Sequence, residues 1–285
     1  MTINTVACID GSALSDTVAD YAAWSANRMN SQLVLLNVLD DARGADESDF
    51  SGKISIDQRV RILADIADLE EQRAKLARQQ GLVFLEAARA HIEKQYAEPL
   101  LRQRHGDLSG ALSAIESDIR LLVIGRQGKR GQTNRVGQRI GHQVERVIRT
   151  VSCPVWVVHG HFQQPERIML AYDHSKTAQK AVTMVANSPL FKGLPVHVVM
   201  VGPETADHSA QLTWAETKLS QQGFEVTTAL IAGEVEQVLN NYAATHNIHA
   251  MVMGAYGHSR IRKFFVGSHT NALIQNAVIP VLLLR

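Results

Sequence analysis

Short apolar runs alternate with amphipathic stretches along the whole chain, and the alternation occurs twice. Residues 6–9 read Val-Ala-Cys-Ile and end in Asp10-Gly11-Ser12, while residues 168–172 read Ile-Met-Leu-Ala-Tyr and end in Asp173-His174-Ser175. After each comes an Ala-rich stretch with its apolar positions at helical spacing: Leu14, Val18, Tyr21 and Ala22 in one, Ala178, Ala181, Val182 and Val185 in the other. A second apolar run follows at 33–38 and at 196–201, a weaker third near 100–104 and 226–232, and a fourth at 121–125 and 250–254. Each copy closes with a run led by proline, Pro154 or Pro280. Continuous β-branched runs separated by helical patterns describe buried parallel strands joined by crossover helices, and such strands need cover on both faces. The pattern therefore predicts an α/β chain: two tandem open parallel five-stranded sheets with helices on both faces.

The copies meet in a polar stretch around 160–165, which divides the chain into domains at 1–160 and 167–285. The closing strands are terminal and strongly apolar, and an unpaired apolar edge invites aggregation. Pairing the two edges removes the problem and makes a pseudo-twofold dimer within one chain, with Trp156 at the interface. Copy one is the longer. From Asp10 to Gly128 is 118 positions and from Asp173 to Gly257 is 84, a difference of 34. The excess falls at about 40–81, beginning as a polar loop and becoming a stretch with Ile62, Ile66, Leu69 and Leu76 on one face. That spacing predicts an additional amphipathic helix, whose outer face is either solvated or a partner surface.

Composition narrows the function classes. With 29 Lys+Arg against 28 Asp+Glu in 285 residues, the formal charge of +1 lacks the basic surplus of a phosphate-backbone binder, so no nucleic-acid partner is expected. No apolar run approaches the roughly 18 residues of a membrane span, and the start, Met1-Thr2-Ile3-Asn4-Thr5, is no signal peptide. Two cysteines, Cys8 and Cys153, make no disulfide framework and fit a reducing cytoplasm. The twelve histidines include His159, His161, His246 and His249, but no set offers three ligands, so no metal site is expected.

The chemistry-bearing signal follows the fourth strand of copy two. Gly254-Ala255-Tyr256-Gly257 is followed after nine residues by Gly267-Ser268 and then by a helical pattern through Leu273, Ile274 and Ala277. Glycines let backbone approach phosphate closely, and N–H groups at a helix start attract anions. Ser268 suits the N-cap, and Arg260, Arg262 and Lys263 add positive charge to the loop. The chain has no G-x-x-x-x-G-K-[ST] match and no G-x-S-x-G elbow. It also offers no assignable general base for phosphoryl transfer.

An Asp closing strand one, a G-x2-G-x9-G-S loop and a Pro-Val closing strand together resemble the universal stress protein family, nearly end to end and twice over. The resemblance implies strand order 3-2-1-4-5 in each copy. It also implies ATP, AMP or ADP at the carboxyl ends of strands one and four, the switch point that open α/β sheets favour. In copy two it assigns Asp173 to the ribose or base, the Val201 backbone to the adenine edge and Gly233 to a place beside the base. Gly254 and Gly257 would wrap the ribose and phosphates, with Gly267 and Ser268 on the phosphates at the helix start. Mg²⁺ or Mn²⁺ would enter only on the phosphates. Copy one departs from the pattern: Asp10, Gly125 and Gly128 are present, but twelve residues precede Gly141-His142, where His replaces the hydroxyl. Its loop reads as degenerate, although Arg126, Lys129, Arg130, Arg135 and Arg139 leave an anion open. The function implied is a stress-response regulatory protein holding adenine nucleotide in the C-terminal domain with little or no turnover, read by an unknown protein partner. The alternative is an interaction or scaffold module that binds no nucleotide. A further homodimer stays open.

Overall fold

A computed structural model of the chain describes residues 3–39, 56–96, 98–128, 140–254 and 268–285, and for 56–59 and 268–271 it describes the backbone alone. The first half runs β1 (Asn4–Cys8), α1 (Ser15–Met29), β2 (Leu33–Leu39), α2 (Ile56–Ile92), β3 (Leu100–His105), α3 (Leu108–Ser113), β4 (Ile119–Gly125), α4 (His142–Thr150) and β5 (Val155–Val158). The second runs β6 (Ile168–Ala171), α5 (Lys176–Asn187), β7 (Val196–Val201), α6 (Ala206–Ser220), β8 (Val226–Ile231), α7 (Val235–Thr245), β9 (Ala250–Gly254), α8 (Ser268–Asn276) and β10 (Val281–Leu284). All these strands lie in one ten-stranded sheet of order β3-β2-β1-β4-β5-β10-β9-β6-β7-β8. Each half thus has the expected 3-2-1-4-5 order.

The closing strands pair with each other as the sequence predicts. β5 and β10 run antiparallel, with Val281 opposite Val157, Leu282 opposite Trp156 and Leu283 opposite Val155. Every other strand pair is parallel. The strand faces alternate as the pleat requires. Ala7 and Ile9 point into one core with α1, α5, α6 and the last turns of α2, whereas Val6 points into the other with α3, α4, α7 and α8. Trp156, fully buried, centres the join: Tyr21, Trp24 and Phe191 lie around it at ring-centroid separations of 5.3, 5.6 and 5.9 Å. The polar linker is also tied down, with Thr17 donating to the Gly160 carbonyl at 2.7 Å and Tyr21 to the Gln163 carbonyl at 3.1 Å.

The extra length of copy one is not a separate helix. Residues 56–92 form one continuous helix of 37 residues, in which the expected amphipathic stretch is the N-terminal part of the β2–β3 crossover itself. Only from Gly81 onward does α2 bury a regular face, through Leu85, Ala88 and Ile92. Of the four residues expected on one face, Ile62, Leu69 and Leu76 are exposed and Ile66 is half-buried.

Candidate functional site

Backbone register brings the expected positions of copy two to one edge. Ala171 pairs with Val199 on one side and with Met253 on the other, so the chain segments leaving β6, β7 and β9 emerge side by side. β6 continues to β7 in one direction while β9 lies on its other flank, which makes the crevice between β6 and β9 the switch point of this half. Asp173 stands just beyond β6, Val201 closes β7, Gly233 follows β8, Gly254 closes β9 and Ser268 opens α8. Gly257 and Gly267 lie outside the described residues, as does the side chain of Ser268. Ser268 is the first described residue of α8. Gly141 and His142 stand in the same relation at α4, where Gly141 is the N-cap.

The turn after β6 is built from its own side chains. Asp173 is exposed and accepts the Ser175 N–H at 3.0 Å, and Ser175 in turn accepts the Ala178 N–H at 3.2 Å as the N-cap of α5. Between them His174 takes the left-handed conformation, φ 58°, uncommon for a side-chain-bearing residue. Its ring is held by the Tyr172 hydroxyl at 2.8 Å from Nδ1 and stands edge-on to Trp214 of α6. Burial, with the Asp173 charge, pushes the Tyr172 phenol up to about 12, so this group stays a neutral hydrogen-bonding partner. Gly233, at φ 146°, needs glycine for its backbone. At Gly254 a Cβ would stand 2.7 Å from the Thr177 carbonyl carbon, so this glycine has a packing reason of its own.

Copy one places its candidates alike but fills the space around them. Asp10 accepts the Ser12 N–H at 3.0 Å, matching Asp173, and a Cβ on Gly128 would come within 2.8 Å of its carboxylate. Gly125 closes β4 against the side chain of Leu14, and the Gly141 N–H donates to the Arg126 carbonyl at 3.0 Å. Above this turn runs α2. The Phe84 ring lies directly on Gly11, the counterpart of His174, and Gly81 lies directly on Asn37 and Gln103. Asn37 donates to the Ile9 carbonyl at 2.7 Å, and Gln103 donates to the Arg78 carbonyl at 3.0 Å, fixing the helix over the carboxyl ends of β1 and β2.

Arg126 reaches across the join. Its guanidinium donates to the Gln275 carbonyl at 3.2 Å and to the Ala277 carbonyl at 3.0 Å, across the join at the C-terminal end of α8. Burial beside it and the Arg126 charge hold the His159 imidazole down at about 4. Lys129, Arg130, Arg135 and Arg139 lie outside the described residues, as do Arg260, Arg262 and Lys263. Among the described residues no cluster of three or more His, Cys, Asp or Glu could hold a metal ion, and Cys8 and Cys153 are free thiols. No helix of the described residues is long and apolar enough to cross a membrane. A hollow of about 490 Å³ beside Lys176, Lys180 and Trp214 opens along α5 and α6.

Sequence spacing did not reveal Phe84, Asn37, Gln103, Trp214 or the reach of Arg126. The one local signal was the contrast between Asp10-Gly11-Ser12 and Asp173-His174-Ser175: glycine where a ring from α2 must lie close, histidine where the residue supplies its own ring.

Comparisons with known proteins agree with this architecture. The model of the universal stress protein family matches residues 1–159 and again 165–285. A universal stress protein of Synechocystis sp. is 33% identical over 288 aligned positions, covering 99% of this chain and 99% of its own. Among solved structures, a universal stress protein from Archaeoglobus fulgidus aligns over 98% of this chain and 97% of its own, with a TM-score of 0.68 and 19% identity. A Pseudomonas aeruginosa structure aligns over 98% of this chain and 91% of its own, with a TM-score of 0.61 and 14% identity, a likeness of fold.

Proposed function

The chain belongs to the universal stress protein family, twice along its length, and from that premise we propose that it is a regulatory protein whose C-terminal half holds ATP, AMP or ADP with little or no turnover. The observation that supports this reading is that Asp173, Val201, Gly233 and Gly254 all stand at the carboxyl ends of their strands, Asp173 and Gly254 on the two strands that flank the switch point, with α8 beginning at Ser268. A helix start at such a crevice supplies unpaired backbone N–H groups and the positive end of the helix dipole, the chemistry a phosphate chain needs. Gly257, Gly267 and the Ser268 hydroxyl would complete the phosphate cradle, with Mg²⁺ or Mn²⁺ carried on the phosphates. Asp173 would reach the ribose or base.

The N-terminal half is assigned a structural role. Phe84 and the Asn37–Gln103 pair occupy the approach to the ends of β1 and β2, and one nitrogen of Arg126 donates to two carbonyls at the end of α8. The weaker candidates Asp10, Gly125, Gly128 and Gly141 would then serve the turn itself. A second reading, a scaffold module without nucleotide, is favoured by one observation: Gly254 is required by backbone packing alone.

Calorimetric titration of the nucleotide-stripped protein with ATP and Mg²⁺ separates these readings. We expect one site per chain, abolished by Gly267→Val with Ser268→Ala. Two sites would overturn the structural role of the first half. No binding at millimolar ATP would leave the scaffold reading.

A further inference from the structure

Of the eleven large apolar side chains exposed among the described residues, seven lie on α2 between Val60 and Val83. We propose that this segment is a self-association surface, on which the α2 helices of two copies of the chain pair antiparallel as a short coiled coil. The proposal stands on spacing and charge, apart from any nucleotide. Ile62, Leu69, Leu76 and Val83 recur at seven-residue intervals and are 36%, 59%, 64% and 64% exposed. A straight helix of 3.6 residues per turn lets such a stripe drift by only about 20° per heptad, and a left-handed supercoil holds it on one seam. Residues 60–80 have no fully buried position, and only Ile66, Ala74 and Ala77 are half-buried, so this stretch of helix has little tertiary cover of its own. A helical segment in that condition is marginal in water without a partner.

The charge pattern selects the partner and its direction. Asp65, Asp68, Glu70 and Glu71 form an acidic block, and Arg73, Lys75 and Arg78 form a basic block immediately after it. The change of sign falls at Gln72, beside the midpoint of the apolar stripe, which lies between Gln72 and Arg73. An antiparallel pair centred there sets Leu69 against Leu76 of the second copy and Ile62 against Val83. It also sets each acidic block beside the basic block of the other chain. A parallel pair in register would place the acidic blocks together, at an electrostatic penalty. A twofold interface must be self-complementary, and this segment is so in both apolar spacing and charge.

Sedimentation equilibrium of the full chain tests the proposal. The parent protein is expected at twice its 31.4 kDa chain mass, and Leu69→Glu with Leu76→Glu is expected at the monomer mass with unchanged melting of the sheet core. Direction is read from disulfide trapping. A mixture of Ile62→Cys and Val83→Cys chains should give the mixed disulfide, and Ile62→Cys alone should give none. A chain with the acidic block changed to Lys should fail to self-associate, and should pair with a chain whose basic block is changed to Glu. A monomeric parent protein overturns the proposal, and flotation of that monomer with phosphatidylglycerol vesicles would assign the stripe to a membrane surface instead. A dimer that survives the Leu69/Leu76 variant, or an Ile62→Cys homodisulfide, overturns it equally.

Discussion

Glycine at the end of the fourth strand is where packing and ligand binding are most easily confused. At Gly254 an added Cβ would meet backbone, the Thr177 carbonyl carbon at 2.7 Å and the Ala178 nitrogen at 2.8 Å, and neither can move without shifting α5. At Gly125 it would meet Leu14 Cβ and Cδ1 at 3.2 Å and the Gln127 carbonyl oxygen at 3.4 Å, contacts that need a shift of only a few tenths of an ångström. Overpacking against fixed atoms typically costs about 1–3 kcal/mol. Gly254→Ala should therefore lower stability by about 2–3 kcal/mol in urea denaturation, and Gly125→Ala by less than about 1 kcal/mol. Equal costs would show that α5 and α1 accommodate the methyl alike. The comparison bears on function, since a loss of nucleotide binding in Gly254→Ala would follow from a displaced α5 without any phosphate contact. Replacements at Gly267 and Ser268 are the cleaner probe for that reason.

At the scale of elements, Arg126 joins a loop of one half to a helix of the other. The last carbonyls of a helix lack intrahelical donors, and a cation there complements the dipole. Arg126 supplies both to the end of α8, and Arg285 does the same in return for the Ile148 carbonyl of α4. Hydrogen bonds to a charged group are worth about 1.5–3 kcal/mol. Arg126→Ala is accordingly expected to cost about 2 kcal/mol in denaturant, with Arg126→Lys recovering part of it by keeping the charge. Since α8 begins at the proposed phosphate cradle, Arg126→Ala should also weaken ATP binding several-fold, read in the same titration. Unchanged affinity would mean the helix start is held without its far end. None of this was legible in the sequence, where Arg126 reads as one more cation in a basic loop. The strands were legible, because buried parallel strands leave continuous apolar runs. The unity of α2 was hidden by Gly81, which reads as a boundary since glycine costs a helix interior about 1 kcal/mol. In the structure a Cβ there would have to displace the side-chain amides of Asn37 and Gln103. The candidate positions Asp173, Val201, Gly233 and Gly254 were legible because strand ends carry them. Phe84 and Trp214 were not, because they arrive from helices distant in sequence.

For the whole molecule, the sheet is shared, so the halves are not expected to unfold independently. The antiparallel β5–β10 pair makes the sheet continuous, and Trp156 packs Tyr21 and Trp24 of one half against Phe191 of the other. Truncating a fully buried Trp costs about 3–5 kcal/mol, through lost burial and the cavity left behind. Part of that loss falls on the join, because Trp156 packs on residues of both halves. The parent chain should melt in one calorimetric transition, and Trp156→Ala should separate it into two, with Trp156→Phe intermediate because an aromatic ring still bridges the halves. A single transition merely shifted downward in Trp156→Ala would assign the coupling to the β5–β10 backbone ladder and the crossing arginines. In that case ligand held by the second half would still stabilise the first, because any binder of the native state acts on the whole cooperative unit. If instead the transitions split, nucleotide should raise only one of them, and the half that moves is the half that binds.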